Sequence, residues 1–272
     1  MLRERCHATR IRALVSGVNR FTAGRPCLHP VAALRAHGVR LLFLTNEPLR
    51  SRNVIAARLS EIGIPATAAD VMTSASAVAT TVGSLAGLRT RRALVAGPAA
   101  LRDEMSAAGF HLVGCDNPGQ AEVVVVAGHE GFDYRELRAA TVAVRNGARL
   151  YATARDPVFP TPAGPEPATG AILAAIETAA GMPAVVVGKP EPIIFEIACQ
   201  ALAGCELIAV IGDSLMSDIA GANHVGLDAI LVLTGTTDRA DLEGAMAQPD
   251  LVLDSLASVP AAMSAEAEWL TS

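Results

Sequence analysis

The sequence predicts an α/β fold, a core with a parallel sheet interrupted by a second, inserted α/β domain. Three observations predict it. Short apolar runs alternate with helical stretches along most of the chain, the rhythm of parallel strands joined by crossover helices. Polar groups suited to an anion and a cation follow several of these runs, at Thr45, Lys189 and Asp213. Beyond the carboxyl ends of strands is where open parallel sheets bind ligands. The alternation also falls into three sets, and only the first and third carry those groups. The middle set therefore reads as the insertion, giving a core of residues 1–72 and 184–272 and an inserted domain of residues 73–183.

The elements follow in order. Ile11–Ser16 reads as a first strand, Val31–His37 as a short helix closed by Gly38, and Val39–Leu44 as an apolar strand ending in Thr45-Asn46. A helix over Asn53–Ile62 closes at Gly63. In the middle set, strands are expected at Ala93–Ala96, Glu122–Ala127 and Arg149–Thr153, with helices over Ala99–Ala108 and Tyr134–Asn146. Five Pro between Asp156 and Thr169 (Pro157, Pro160, Pro162, Pro165, Pro167) predict an irregular loop there. A helix over Gly170–Ala180 follows. The third set begins with Ala184–Val187, then Gly188-Lys189-Pro190 and a helix to about Ala203. Leu207–Ile211 is an uninterrupted apolar strand running into Gly212-Asp213, and a helix is expected from Asp218. Ala229–Leu233 ends in Thr234-Gly235-Thr236-Thr237, a helix is expected from Arg239, and Leu251–Leu253 is a last strand before a last helix.

Composition excludes several classes. Half of the 272 residues are hydrophobic (51%) and few are aromatic (3%), so Ala, Val, Leu and Ile must build the core. A net charge of −5 argues against nucleic-acid binding. Five Cys without a Cys-x-x-Cys spacing read as reduced thiols, and with no signal peptide visible the expected location is cytoplasmic. Val71–Leu88 is broken by Ser, Thr and Gly and reads as a helix or loop, so no membrane partner is expected. Of 22 basic residues only Lys189 is Lys. A lone Lys suits a place that needs a compact point charge.

The polar strand ends make a chemical set. A Thr hydroxyl and nearby backbone N–H groups bond phosphate oxygens, a Lys neutralises charge, and a carboxylate pair holds a divalent metal. Singly, each residue has a plain structural reading: Thr45 as an ordinary strand end, Lys189 as a solvated turn residue, and Asp213 or Asp218 as helix caps.

Leu44-Thr45-Asn46, Gly188-Lys189-Pro190 and Gly212-Asp213-x-x-x-x-Asp218 resemble motifs two, three and four of the haloacid-dehalogenase-like (HAD) phosphatases. The Leu-Thr-Asn form and Ala220-Gly221-Ala222 are similar to the NagD-type, or nitrophenylphosphatase-like, branch (subfamily IIA). The resemblance implies a Rossmann-like core, a cap domain between motifs two and three, Mg²⁺, and phosphomonoester hydrolysis through an aspartyl-phosphate. It implies phosphate binding by Thr45, Asn46 and Lys189, metal binding by Asp213 and Asp218, and a substrate-selecting cap loop at Arg155 and Asp156. A homodimer through the cap is the family default.

The family's first motif, Asp-x-Asp-Gly-Thr, is not kept. Counting back from Gly24-Arg25-Pro26 places Ser16 at the nucleophile position, Val18 at the acid–base position and Arg20 where the family has Thr. No shift of register repairs this, because residues 1–69 hold three Glu and no Asp. Val18 carries no proton, and Ser16 is a weak nucleophile without an adjacent base. One fewer carboxylate also implies weaker or lost Mg²⁺ binding. Arg20 could reach the pocket and compensate a bound phosphate directly, with a solvent-facing loop residue as the favoured reading. Two further departures are Ala154, where the family's cap loop has Asn, and Ser214, where Arg is common. The expectation is a homologue that binds a phosphorylated small molecule with impaired catalysis. The alternatives are an active Mg²⁺-dependent phosphatase with another nucleophile, such as Ser16 or a water at Asp213, and a structural subunit.

Overall fold

The computed structural model describes residues 11–16, 28–161, 164–204 and 207–262. In chain order its elements are β1 (Ile11–Ser16), α1 (Leu28–Ala36), β2 (Leu41–Thr45), α2 (Arg52–Glu61), β3 (Val71–Thr73), α3 (Ser74–Gly83), β4 (Arg92–Ala96), α4 (Ala99–Ala107), β5 (His111–Val113), β6 (Val123–Val126) and α5 (Tyr134–Arg145). Then come β7 (Arg149–Ala152), β8 (Val158–Thr161), β9 (Gly164–Pro167), α6 (Thr169–Ala180), β10 (Val185–Val186), α7 (Pro192–Ala201), β11 (Leu207–Gly212), α8 (Ala220–His224), β12 (Asp228–Val232) and β13 (Leu251–Leu253). Two compact units result: Met1–Thr45, Arg52–Met72 and Phe195–Ser272 form one, Asn46–Ser51 and Thr73–Ile194 the other. The second unit extends past the expected return at residue 184, because Val185 and Val186 pair with Tyr151 and Ala152 of β7.

In the first unit the sheet order is β13-β12-β11-β1-β2-β3. β1 is parallel to both β2 and β11, and β12 is parallel to β11 and β13. Strands covered on both faces need uninterrupted apolar sequence. All five residues of β2 are buried accordingly. Leu34 of α1 and Ile55, Ala56 and Leu59 of α2 pack with Phe43 of β2 and Ile211 of β11 in one core. Gly38 ends α1 at φ +76, where its N–H bonds Arg35 O and that of Val39 bonds Leu34 O. A left-handed residue in that place costs Gly little and other residues more. The chain runs outward from β1 through β2 to β3, and β11 then lies on the other flank of β1. The sheet therefore has its switch point at β1 and β11, the place where open parallel sheets bind ligands.

The second unit holds a parallel sheet in the order β10-β7-β6-β4-β5. Its centre is β6, four buried Val. Asp133 caps α5 by accepting from Glu136 N, and Ala139, Ala140, Ala143 and Val144 form the face that α5 buries. Leu173 and Ile176 of α6 pack in the same core.

Three expectations change. The Pro-rich loop contains a two-stranded antiparallel ribbon, β8 with β9. Pro160, Pro165 and Pro167 fall at alternate register positions, pairing Pro160 with Pro165 and Val158 with Pro167. At alternate positions of such a ribbon the backbone N–H points away from the partner, so a Pro there forfeits no ladder bond. The helix expected from Arg239 is a single 3₁₀ turn, Arg239–Leu242, with Gly244 at φ +76 just beyond it. The helix expected at Asp218 is preceded by a wide π-type turn over Leu215–Ile219, and α8 starts at Ala220. The three-residue strands β3 and β5 are too short to leave a periodic signal.

Candidate functional site

In the first unit, strand register brings the ends of three strands side by side. Val15 pairs with Ile211 and Ser16 pairs with Leu44, so Gly212-Asp213, Ser16 and Thr45 follow one another across β11, β1 and β2 at their carboxyl ends. Thr45 is buried. Val18 and Arg20 lie outside the described residues.

The turn after β11 is built around a carboxylate. Asp218 is 1% exposed, and its Oδ2 accepts from the N–H of Asp213 at 3.1 Å and of Ser214 at 3.2 Å. Ser214 in turn accepts from Ser217 N at 3.2 Å. Gly212 leaves room for this carboxylate: a Cβ there would lie 2.5 Å from Asp218 Oδ2. The partly buried Asp213 is held from a second loop, after β12. Thr236 N donates to Asp213 Oδ2 at 3.2 Å, Thr236 Oγ1 donates to Asp213 O at 3.1 Å, and Thr237 N reaches the same carbonyl at 3.2 Å. Leu215 N donates to the buried Thr237 Oγ1 at 3.0 Å. A Cβ on Gly235 would overlap the Asp213 carboxylate, so only glycine lets this loop approach.

Sequence reasoning assigned no role to Gly235, Thr236 and Thr237. Their signal was a small polar run directly after a strand. The two carboxylates also differ more than the sequence suggests. Asp218 serves the turn, while Asp213 is the more accessible of the two. Among the described residues no three His, Cys, Asp or Glu side chains gather as a metal set. A hard cation here would rely on Asp213 and Asp218.

In the second unit the Asn46 side chain joins three chain segments. Its Oδ1 accepts from Lys189 N at 2.9 Å, and its Nδ2 donates to Lys189 O at 2.9 Å and to Asp156 Oδ2 at 3.1 Å. The Asn46 carbonyl accepts from Ser74 Oγ at 2.8 Å. Gly188 is required beside it, because a Cβ would overlap Thr153 O and lie 2.7 Å from Asn46 Oδ1. Lys189 is 6% exposed, well buried for a lysine, and its bond to Pro190 is cis.

Arg155, expected in a substrate-selecting loop, pairs with a carboxylate of its own unit. Its guanidinium makes two 2.8 Å bonds to the carboxylate of Glu177 on α6, a bidentate pair. The pair holds the Glu177 carboxyl below its usual range and raises the Arg155 guanidinium. Glu177 also accepts from Ala184 N at 2.7 Å, so the pair ties the strand-end loop to the end of α6. This bond was invisible in the sequence because the two residues are far apart along it.

Comparison with known proteins agrees with this frame. A family model described as HAD-hydrolase-like matches residues 186–259, and one described as haloacid dehalogenase-like hydrolase matches residues 29–111. A D-glycerol 3-phosphate phosphatase from Mycobacterium tuberculosis is 38% identical over 226 residues, 81% of this chain but only 62% of that protein's length. Sugar-phosphatase AraL from Bacillus subtilis is 33% identical over 231 residues, covering 84% of this chain and 83% of its own. The solved structure of glycerol phosphate phosphatase from Mycobacterium tuberculosis in complex with magnesium superposes with a TM-score of 0.82 at 34% identity, covering 92% of this chain and 76% of that one. The shared parallel core, the motif positions and these relatives together show that the chain belongs to the haloacid-dehalogenase-like superfamily, in its NagD-type, nitrophenylphosphatase-like branch (subfamily IIA).

Proposed function

We propose that the chain is a Mg²⁺-dependent phosphomonoester hydrolase of a small phosphorylated metabolite, one that works without an aspartyl nucleophile. The supporting observation is the turn after β11, which two loops organise around Asp213, in a chain whose relatives are named phosphatases. The donor set fits the cation. Mg²⁺ takes one or two carboxylate oxygens and completes its shell with water and substrate phosphate. Asp213 would be the direct ligand and Asp218 would keep the turn in place. Mg²⁺ bound there supplies positive charge against the phosphoryl oxygens. Thr45 would donate its hydroxyl to a phosphate oxygen, and the Lys189 ammonium would neutralise charge.

Ser16, at the end of β1, takes the nucleophile position of the family. A serine hydroxyl is weak without a base. Val18 can neither give nor take a proton, so turnover should fall about 10²–10⁴-fold below that of a chain with an acid–base group there. A second reading, a phosphate binder without turnover, is favoured by one specific observation: residues 1–69 contain no Asp at all.

Turnover of p-nitrophenyl phosphate and a panel of sugar and glycerol phosphates, with and without Mg²⁺, separates the two. The hydrolase reading expects Mg²⁺-dependent turnover that Asp213→Ala abolishes and that the double variant Ser16→Asp, Val18→Asp increases. Turnover in the double variant alone would establish the binder reading. Failure of phosphate to raise the melting temperature, with Lys189→Ala making no difference, would overturn both.

A further inference from the structure

The resemblance makes Asn46 a phosphate ligand, but its hydrogen bonds describe a different task. An asparagine amide offers two N–H donors and one carbonyl acceptor. Both Nδ2 hydrogens have acceptors, Lys189 O at 2.9 Å and Asp156 Oδ2 at 3.1 Å, and Oδ1 takes the Lys189 N–H at 2.9 Å. The amide thus closes a two-bond ring on the backbone of one residue, Lys189. Its orientation is set by the partners: a flipped amide would turn its NH₂ on the Lys189 N–H and its oxygen on two acceptors, losing all three bonds. The Asp156 carboxylate adds the charge that makes the flipped form worse. Below the side chain, the buried Ser74 hydroxyl holds the Asn46 carbonyl at 2.8 Å. Gly188 lets the ring close, since any side chain there would strike Asn46 Oδ1 and the Thr153 carbonyl.

We propose that Asn46 is a positioning residue rather than a phosphate ligand: oriented by Asp156 and Ser74, it fixes the backbone of Lys189 and thereby the root of the ammonium. The proposal rests on the phosphate role given to Lys189 above. It also gives Asp156 a use that does not involve reading the substrate. The exposed Asp156 bond competes with water, so its share is smaller than that of the ring itself.

The test is amide hydrogen exchange at Lys189, followed by NMR on the full chain, beside the affinity for inorganic phosphate. Asn46→Ala should speed Lys189 exchange about tenfold, the worth of one such bond. It should weaken phosphate binding together with that change. Asp156→Ala should speed exchange about threefold, and Asp156→Asn, which keeps an acceptor oxygen, should restore it. If Asn46→Ala is poorly folded, Asp156→Ala with Asp156→Asn decides alone. Unchanged Lys189 exchange in these variants overturns the proposal. So does a loss of phosphate affinity in Asn46→Ala with exchange unaltered, which is the signature of a direct ligand. If Lys189→Ala binds phosphate as well as the parent, the phosphate role of Lys189 fails instead, and the exchange result still decides the positioning role.

Discussion

Replacing Asp218 by Ala tests whether that carboxylate is first a structural group and only then a metal ligand. It is 1% exposed and accepts from two backbone amides, Asp213 N and Ser214 N. Each amide left without an acceptor costs about 1–3 kcal/mol, the lower figure applying where water enters the vacated space. Two such losses give about 2–6 kcal/mol. For a chain of this size each kcal/mol lowers the melting temperature by about 2–4 °C, so Asp218→Ala should melt at least about 4 °C below the parent. Asp213→Asn keeps an oxygen for Thr236 N, so its melting temperature should move by less than about 2 °C. Its Mg²⁺ affinity should nevertheless fall about tenfold or more, because a charged ligand becomes neutral. Thermal denaturation without metal and Mg²⁺ titration by calorimetry read the two effects separately. A melting temperature for Asp218→Ala within about 1 °C of the parent would refute the structural role. A larger loss in Asp213→Asn than in Asp218→Ala would reverse the assignment.

Gly188→Ala should lower stability by about 1–3 kcal/mol, since the new methyl meets a backbone carbonyl that cannot yield; a melting curve matching the parent would count against that packing. The carboxyl of Glu122 is pulled from 4.5 to about 2, chiefly by the backbone N–H groups of Arg89 and Thr90. Because the folded-state value is the lower one, this contribution is complete above the ordinary value and disappears as pH falls towards 2. Glu122→Gln should therefore melt below the parent at pH 7 and alongside it near pH 2, and a gap independent of pH would contradict the account. A double-mutant cycle on Arg155 and Glu177 should give a coupling of about 0.5–1 kcal/mol, modest because Arg155 is half exposed. If Arg155→Ala changes phosphate affinity while Glu177→Ala does not, Arg155 touches the ligand after all.

Much of the fold was legible because its signals are local. β1 and β6 are apolar runs whose character depends on their own residues, and the Gly212-Asp213-x-x-x-x-Asp218 spacing is a turn written within one heptad-length stretch. The Pro-rich segment misled because a proline's cost depends on where its missing N–H would point, and that is set by the facing strand in the β8–β9 ribbon. The pairing of Arg155 with Glu177 was not legible for a related reason: Glu177 sits on a helix whose approach no local pattern encodes.

The sequence by itself determined which residue types were available to the proposed phosphate site, namely one lysine, a Thr at a strand end, two carboxylates five residues apart, and no Asp on the first strand. Composition and spacing settle such matters because they need no partner. Only the tertiary structure decided what those residues lie beside and bond to. It set β11 beside β1, so that Asp213 and Ser16 share one end of a sheet. It turned Asp218 inward onto the amides of its own turn, and it closed Asn46 on the backbone of Lys189. A hydrogen bond between residues distant in the chain exists only once packing has brought donor and acceptor within about 3 Å, and packing is a property of the whole fold.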